Sequence, residues 1–348
     1  MASNSRRNEI FNFNDVINSN DLRKRIVNVD SRFRDTNSLD TTSNFQYTFE
    51  HPYKNTIRIR IASVEIPNSW YEFNTATYNN TYFSISAYDI SNNYRTDTIR
   101  IANGNYTSAQ LVTAIQAQLT SKFQTPYGIF LTITSNPISL RTTIALTGVA
   151  QIGDPAPITS GQAFSINFTV PYSSTQSYSG GMGINLGFQN TTYNANTVLD
   201  TSGGISTYGV VSESLITTIQ TPYVLLAMND YYSVETKSTN KFTQALAKIL
   251  VQQPKNTILY DEGSTMLSND IIFPSPTDLK RIKVTLLDPY GQIVDLNGLN
   301  LSFSMEITEV TNTKMYEFYR NYIWLGTIPS LPTNVTGSGV GLLGGKGP

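Results

Sequence analysis

The sequence predicts a mainly β protein with one helical stretch and a polar segment at each end. Three observations carry that prediction. Runs of alternating apolar and polar residues recur along the chain, with the period of a half-buried strand. Only 104–123 shows apolar residues four apart over a helix length, at Leu111, Ile115, Leu119 and Phe123. Near the C-terminal end, turn-forming clusters separate strand-like runs.

The 348 residues suffice for one large or two ordinary domains. Charged residues make up 14% and the formal net charge is -1. A soluble enzyme usually has about 25%. Ser, Thr, Asn, Gln and Tyr must therefore cover much of the surface, and such a surface is desolvated cheaply against a partner. The 21 Tyr fit both strands and interfaces. There are no cysteines, which excludes disulfides, thiol catalysis and zinc-thiolate sites. No secretory signal is read at the start, and no apolar run approaches the ~20 residues of a membrane helix, so no membrane span is expected.

In chain order, residues 1–26 are polar and basic, with Arg6, Arg7, Arg23, Lys24 and Arg25. They read as an arm that either docks on a neighbour or stays unstructured. FQYTFE (45–50) alternates strictly. TIRIRIASVEIP (56–67) alternates, then changes parity between Ile61 and Val64. That change predicts a β-bulge near Ala62–Ser63, or a strand buried on both faces. Trp70, Tyr71 and Phe73 crowd behind it. Two strand-like runs occupy 81–102.

The helix follows, and Thr107 with Gln110 forms a capping-box pattern before it. IFLTIT (129–134), LRTTIAL (140–146) and AFSINFTV (163–170) read as strands. SGGMGINLGF (179–188) reads as a short helical turn, and 189–209 as irregular. YVLLAM (223–228) has strand length, and 242–252 fits a strand or a helix. Asp288-Pro289-Tyr290-Gly291 suits a type I turn, and Asn297-Gly298 a primed hairpin turn with positive φ at both positions. Leu299, Leu301, Phe303, Met305 and Ile307 then alternate with polar residues. The segment 326–348 is rich in Gly, Pro and Ser and reads as a tail.

A search for chemistry returns nothing. His51 is the lone histidine and stands in no motif, so His-dependent triads and His-rich metal sites have no support. Gly339, Gly341 and Gly344 match G-x-G-x-x-G, but too close to the end for the helix that motif needs. Asp261-Glu262 reads as a solvated turn, although two acids distant in sequence can still meet. The basic arm alone, in a neutral chain, predicts no nucleic-acid partner. No catalytic residue, cofactor, metal or small-molecule substrate is expected.

The segments NVDSRFRD (28–35), YKNTIRIRIASVEIPNSWYEFN (53–74), GNYTSAQLVTAIQAQL (104–119), INLGF (184–188) and LLDPYGQIVDLNGLNLSFSMEITEV (286–310) occur in that order. The series resembles minor structural proteins of the icosahedral capsids of nucleocytoplasmic large DNA viruses. The resemblance implies an antiparallel jelly-roll sandwich with an inserted α+β subdomain and extended N- and C-terminal arms. On that frame, 1–30 is the N-terminal arm, 31–73 with 215–325 the discontinuous jelly roll, 74–214 the insertion, and 326–348 the C-terminal tail.

Eight strands are counted for the jelly roll, at 45–50, 56–66, 222–229, 247–252, 258–261, 281–287, 292–296 and 301–309. Trp70, Tyr71 and Phe73 are the expected seal between jelly roll and insertion, with ordinary core filling or an intersubunit contact as alternatives. The resemblance implies a penton protein at the fivefold vertex, a homopentamer contacting the major capsid protein and other minor capsid proteins. It would be found in the virion shell and assembled in the host cell cytoplasm. A minor capsid protein beneath or between the hexons is the nearest alternative. A lectin-like or receptor-binding β-sandwich predicts an aromatic-lined pocket in the insertion. A polysaccharide hydrolase or lyase predicts two facing carboxylates in a cleft.

Overall fold

The computed structural model describes residues 22–35, 40–153, 164–169, 181–196, 198–200, 207–228, 234–238, 241–263, 266–268 and 270–314. In chain order its strands are β1 (Leu22–Asp30), β2 (Asn44–Pro67), β3 (Tyr82–Tyr88), β4 (Tyr94–Arg100), β5 (Ile129–Ser135), β6 (Thr142–Val149), β7 (Phe164–Asn167), β8 (Thr192–Ala195) and β9 (Val198–Asp200). There follow β10 (Thr207–Val211), β11 (Tyr223–Met228), β12 (Val234–Ser238), β13 (Lys241–Ala245), β14 (Ala247–Leu250), β15 (Ile258–Asp261), β16 (Leu267–Ser268), β17 (Ile271–Leu287) and β18 (Ser302–Val310). Helix α1 spans Ser108–Leu119.

The largest sheet has eight strands in the order β1-β18-β2-β17-β11-β14-β16, with β15 added on β2. Every pairing in it is antiparallel. Two long strands let it serve as two layers. The C-terminal half of β2 pairs with β18 and β15, while its N-terminal half pairs with the C-terminal half of β17, which continues to β11. Val29, Ile59, Ile61, Val64, Phe303 and Met305 from the first layer share one buried cluster with Phe45, Phe49, Val224, Ile282, Val284 and Leu286 from the second. The result is an antiparallel sandwich of the jelly-roll kind.

The bulge stands where the parity change places it. Ser304 faces Ser63 and the next residue, Met305, faces Ile61, so Ala62 is the extra residue. The strand therefore keeps its apolar row inward on both sides of Ala62. A second irregularity lies at Ile57, between the pairs Thr308↔Arg58 and Glu309↔Thr56. It takes Ile57 out of the main core and into a small cluster with Leu22 and Val310.

A second core collects residues from Phe73 to Ile216. Two four-stranded sheets, β4-β3-β7-β8 and β5-β6-β10-β9, supply most of it. Helix α1 buries Leu111, Ile115 and Leu119 against them, and Phe123, in the π-helical turn that follows, is fully buried too. Its capping box is complete: Gln110 N donates to Thr107 Oγ1 at 3.2 Å, and Thr107 N to Gln110 Oε1 at 2.9 Å.

Several expectations are corrected. Residues 22–30, read as part of the arm, form β1 and pair in continuous register with β18. Three consecutive basic residues, Arg23, Lys24 and Arg25, masked the strand, and residues 23–26 are exposed on both of its faces. Residues 45–50 and 56–66 are one strand. Residues 292–296 form no strand, only a bridge from Ile293 to Leu287. Asn297 and Gly298 do have positive φ, 51° and 80°, yet their turn delivers the chain to β18, which pairs with β1 and β2. The stretch 189–209 contains β8, β9 and the start of β10, and 242–250 is strand rather than helix. Residues 1–21 and 315–348, which hold the rest of the arm, the expected tail and its glycine motif, lie outside the described residues.

Candidate functional site

Trp70, Tyr71 and Phe73 fall in three environments. Trp70 is buried in the first core and Phe73 in the second. Tyr71 is 39% exposed. The chain thus passes from one core to the other within four residues, 70–73.

Glu72, set among those aromatics, is buried and fully occupied. Its Oε1 accepts from Trp70 Nε1 at 3.1 Å and pairs with Lys255 Nζ at 2.7 Å. Its Oε2 accepts from the backbone N–H groups of Gln220 and Thr221 at 2.7 and 3.0 Å. One carboxylate therefore ties the chain entering the second core to the chain returning from it. Lys255 also donates to Trp70 O at 3.1 Å and stands 4.3 Å from the Trp70 ring centroid. Burial pulls the Lys255 ammonium below its usual pKa, against the pull of Glu72.

Asp288 completes the junction. Its Oδ1 caps the Asp288–Gly291 turn, accepting from Tyr290 N and Gln292 N at 2.8 Å each. Its Oδ2 accepts from Tyr78 Oη at 2.9 Å. Burial pushes Asp288 upward, and the nearby Glu72 charge adds to this. Burial and then Asp288 push the Tyr78 phenol far above its ordinary value.

Two carboxylates thus approach each other, as a hydrolase would require, but Glu72 is 5% exposed and Asp288 fully buried. Their oxygens are spent on internal donors. The geometry is that of a latch, which must be satisfied because unpaired buried polar groups are costly. Sequence reasoning missed Glu72, Lys255, Asp288 and Tyr78. One signal was visible: a lone acid inside the aromatic run Trp70–Phe73.

Elsewhere, Asp261 is buried, and its Oδ1 accepts from Gly263 N at 2.8 Å. His51 is exposed. A cavity of about 570 Å³ on the second core is lined by Asp97, Thr98, Arg100, Ile101, Ala102, Gln118 and Lys122, without an aromatic ring. Among the described residues no three acidic or histidine side chains gather to hold a metal, and no helix is long and apolar enough to cross a membrane.

The other notable feature is a sheet face. Ile26 faces Glu306, which faces Arg60; Ile272 faces Arg58; Tyr260 faces Glu65; Ile258 faces Pro67. Cross-strand neighbours share a face, so these four apolar residues all lie on the outer side of the first layer. Ile26 is 74% exposed, Ile272 67%, Ile258 61% and Tyr260 60%. Among them lies a charge ladder in which Glu306 pairs with Lys24 at 3.6 Å and Arg60 at 2.9 Å.

Residues 17–280 match the profile of a family described as a family of unknown function, DUF5901. The chain belongs to this family. No curated protein matches it. Among solved structures, a chain of the Sputnik virophage, from cryo-electron microscopy at 3.5 Å, aligns with a TM-score of 0.38 and 11% identity. The alignment covers 85% of the present chain and 99% of that one. Likeness at this level carries no argument about function.

Proposed function

We propose that the protein is a structural component of an icosahedral viral capsid and works by subunit packing. The observation that carries this reading is the outer face of the first layer. It presents Ile26, Ile258, Tyr260 and Ile272 to solvent around the ion-paired ladder of Lys24, Glu306 and Arg60. Apolar groups exposed together on a rigid sheet suit a neighbour's surface. The ordered capsid-like segments and the low charge content support the same reading. The latch around Glu72 supports a stiff junction between jelly roll and insertion, with Trp70 and Phe73 sealing it from either side and Tyr71 left to meet a neighbour.

The finer assignment is a penton protein: a homopentamer at the fivefold vertex, flanked by the major capsid protein and other minor capsid proteins, in a virion assembled in the host cytoplasm. A minor capsid protein beneath or between the hexons would use the same face. Closed symmetry distinguishes the two. The purified chain is expected to run as a pentamer by sedimentation or native mass spectrometry, with more than ~1,000 Å² buried per contact. A monomer at all concentrations that cleaves a polysaccharide or binds a glycan array would overturn the proposal.

A further inference from the structure

The sandwich has an open seam. Among the described residues no strand pairs with the outer edge of β1. Beneath that edge, between β1 and the N-terminal half of β2, lies a cavity of about 420 Å³. Val27, Tyr47, Phe49 and Tyr53 give it an apolar wall, and Arg25, Glu50, His51 and Glu309 a polar one. Its three rings stand edge-on in series, 5.6 and 5.2 Å apart. Glu309 is only 9% exposed, and its Oε2, although 2.8 Å from Arg25 Nε, accepts no directed hydrogen bond. An aromatic-walled slot beside a bare strand edge is how a sheet receives an added strand: the edge binds backbone and the slot reads a side chain.

We propose that the seam receives Phe11 and Phe13 from the N-terminal segment, residues 9–16, of a second copy of this chain. The inference rests on the assembly reading above. Residues 9–16 read EIFNFNDV, with Phe11 and Phe13 on one face of an extended strand and Asn12 and Asn14 on the other. Their acids, Glu9 and Asp15, share the parity of the two rings and complement Arg23 and Arg25 of β1. Leu22, the first residue of β1, pairs with Val310, next in sequence to the Glu309 that lines the cavity, and 21 residues precede it in the chain. Fully extended, the nine to eleven residues from Leu22 back to Phe13 and Phe11 span about 30–40 Å, the reach available toward a neighbouring subunit.

With a four-residue loop, parity turns the rings of the chain's own segment away from the seam, and a loop of three or five residues reverses this. A hairpin turning on the four residues Asn18–Asp21 would set Asn14 opposite Arg25 and Asn12 opposite Val27. Directly opposed residues share a face. Asparagines would then enter the seam, and Phe13 would lie with Ile26 on the outer face. A segment from another copy is free to take the register that buries the rings.

The absence of native cysteines makes the test clean. Copies carrying Phe13→Cys are mixed with differently sized copies carrying Val27→Cys and oxidised gently. A disulfide joining one of each is expected, and Asn12→Cys should give little. Phe11→Ala and Phe13→Ala should each weaken association by about tenfold to a hundredfold, leaving the unfolding transition unchanged. A disulfide within monomers of the double variant would overturn the proposal in favour of the chain's own segment. An intact oligomer with no crosslink would overturn it while sparing the assembly reading. A chain that never associates would remove both.

Discussion

At position 72 a single carboxylate holds two ends of chain together. Glu72→Ala would leave the Lys255 ammonium, the Trp70 N–H and two backbone amides without their acceptor. Breaking such a buried pair should cost about 3–5 kcal/mol, read from urea unfolding. Asp288 provides a pH test. Burial raises its folded value above 3.8, so its contribution to stability is present below the unfolded value and lost as pH rises through the folded one. Asp30 has the opposite sign. Its hydrogen bond from the Arg32 guanidinium, opposed by burial, holds it below 3.8, and its contribution is lost as pH falls through the folded value. Asp288→Asn can keep the bonds from Tyr290 and Gln292 and removes the first effect. The gain in stability from pH 4 to pH 7 should therefore be larger in the variant than in the parent. Equal gains would contradict the raised carboxyl.

At the scale of elements, β2 depends on one unopposed residue. Deleting Ala62 would turn Val64 and Ile66 out of the core, at about 1.5–3 kcal/mol for each buried side chain. A drop of roughly that sum in unfolding free energy is expected, and an unchanged midpoint would mean that the bulge simply moves. Gly187 offers a paired comparison with Gly298. Both have positive φ, 88° and 80°. A Cβ at Gly187 would stand 2.2 Å from Ser214 O, whereas at Gly298 nothing lies within 4 Å. Gly187→Ala should therefore cost clearly more than the ~1–3 kcal/mol of backbone strain, and Gly298→Ala no more than that strain. Thermal unfolding of both variants measures the difference. The capping box at Thr107 and Gln110, the Asp288 turn and the Asn297-Gly298 turn were all legible, because each is decided by residues within a few positions of one another. Strand β1 was not, because Arg23, Lys24 and Arg25 stand in a row and break its alternation.

For the whole molecule, the outer face of the first layer should govern association and not folding. Ile26→Lys and Ile272→Lys fall on residues largely open to solvent, so the single chain should keep its stability within about 1 kcal/mol. The same changes should lower the sedimenting mass to that of the monomer. If the variants associate like the parent, the contact lies elsewhere. The site itself was half legible. Trp70 and Phe73 were visible as an aromatic cluster at a strand end, but nothing near them in sequence announces Lys255, Gln220 or Asp288, which arrive from 148 to 216 positions further along.

By itself the sequence determined the β class, the bulge, the helix with its cap and the turn conformations, since these follow from periodicity and local hydrogen bonding. Only the tertiary structure decided which strands are neighbours, that one strand serves both layers, and that Glu72 latches two cores. Those outcomes depend on contacts between distant segments, and an alternating strand carries the same pattern whichever partner it finds.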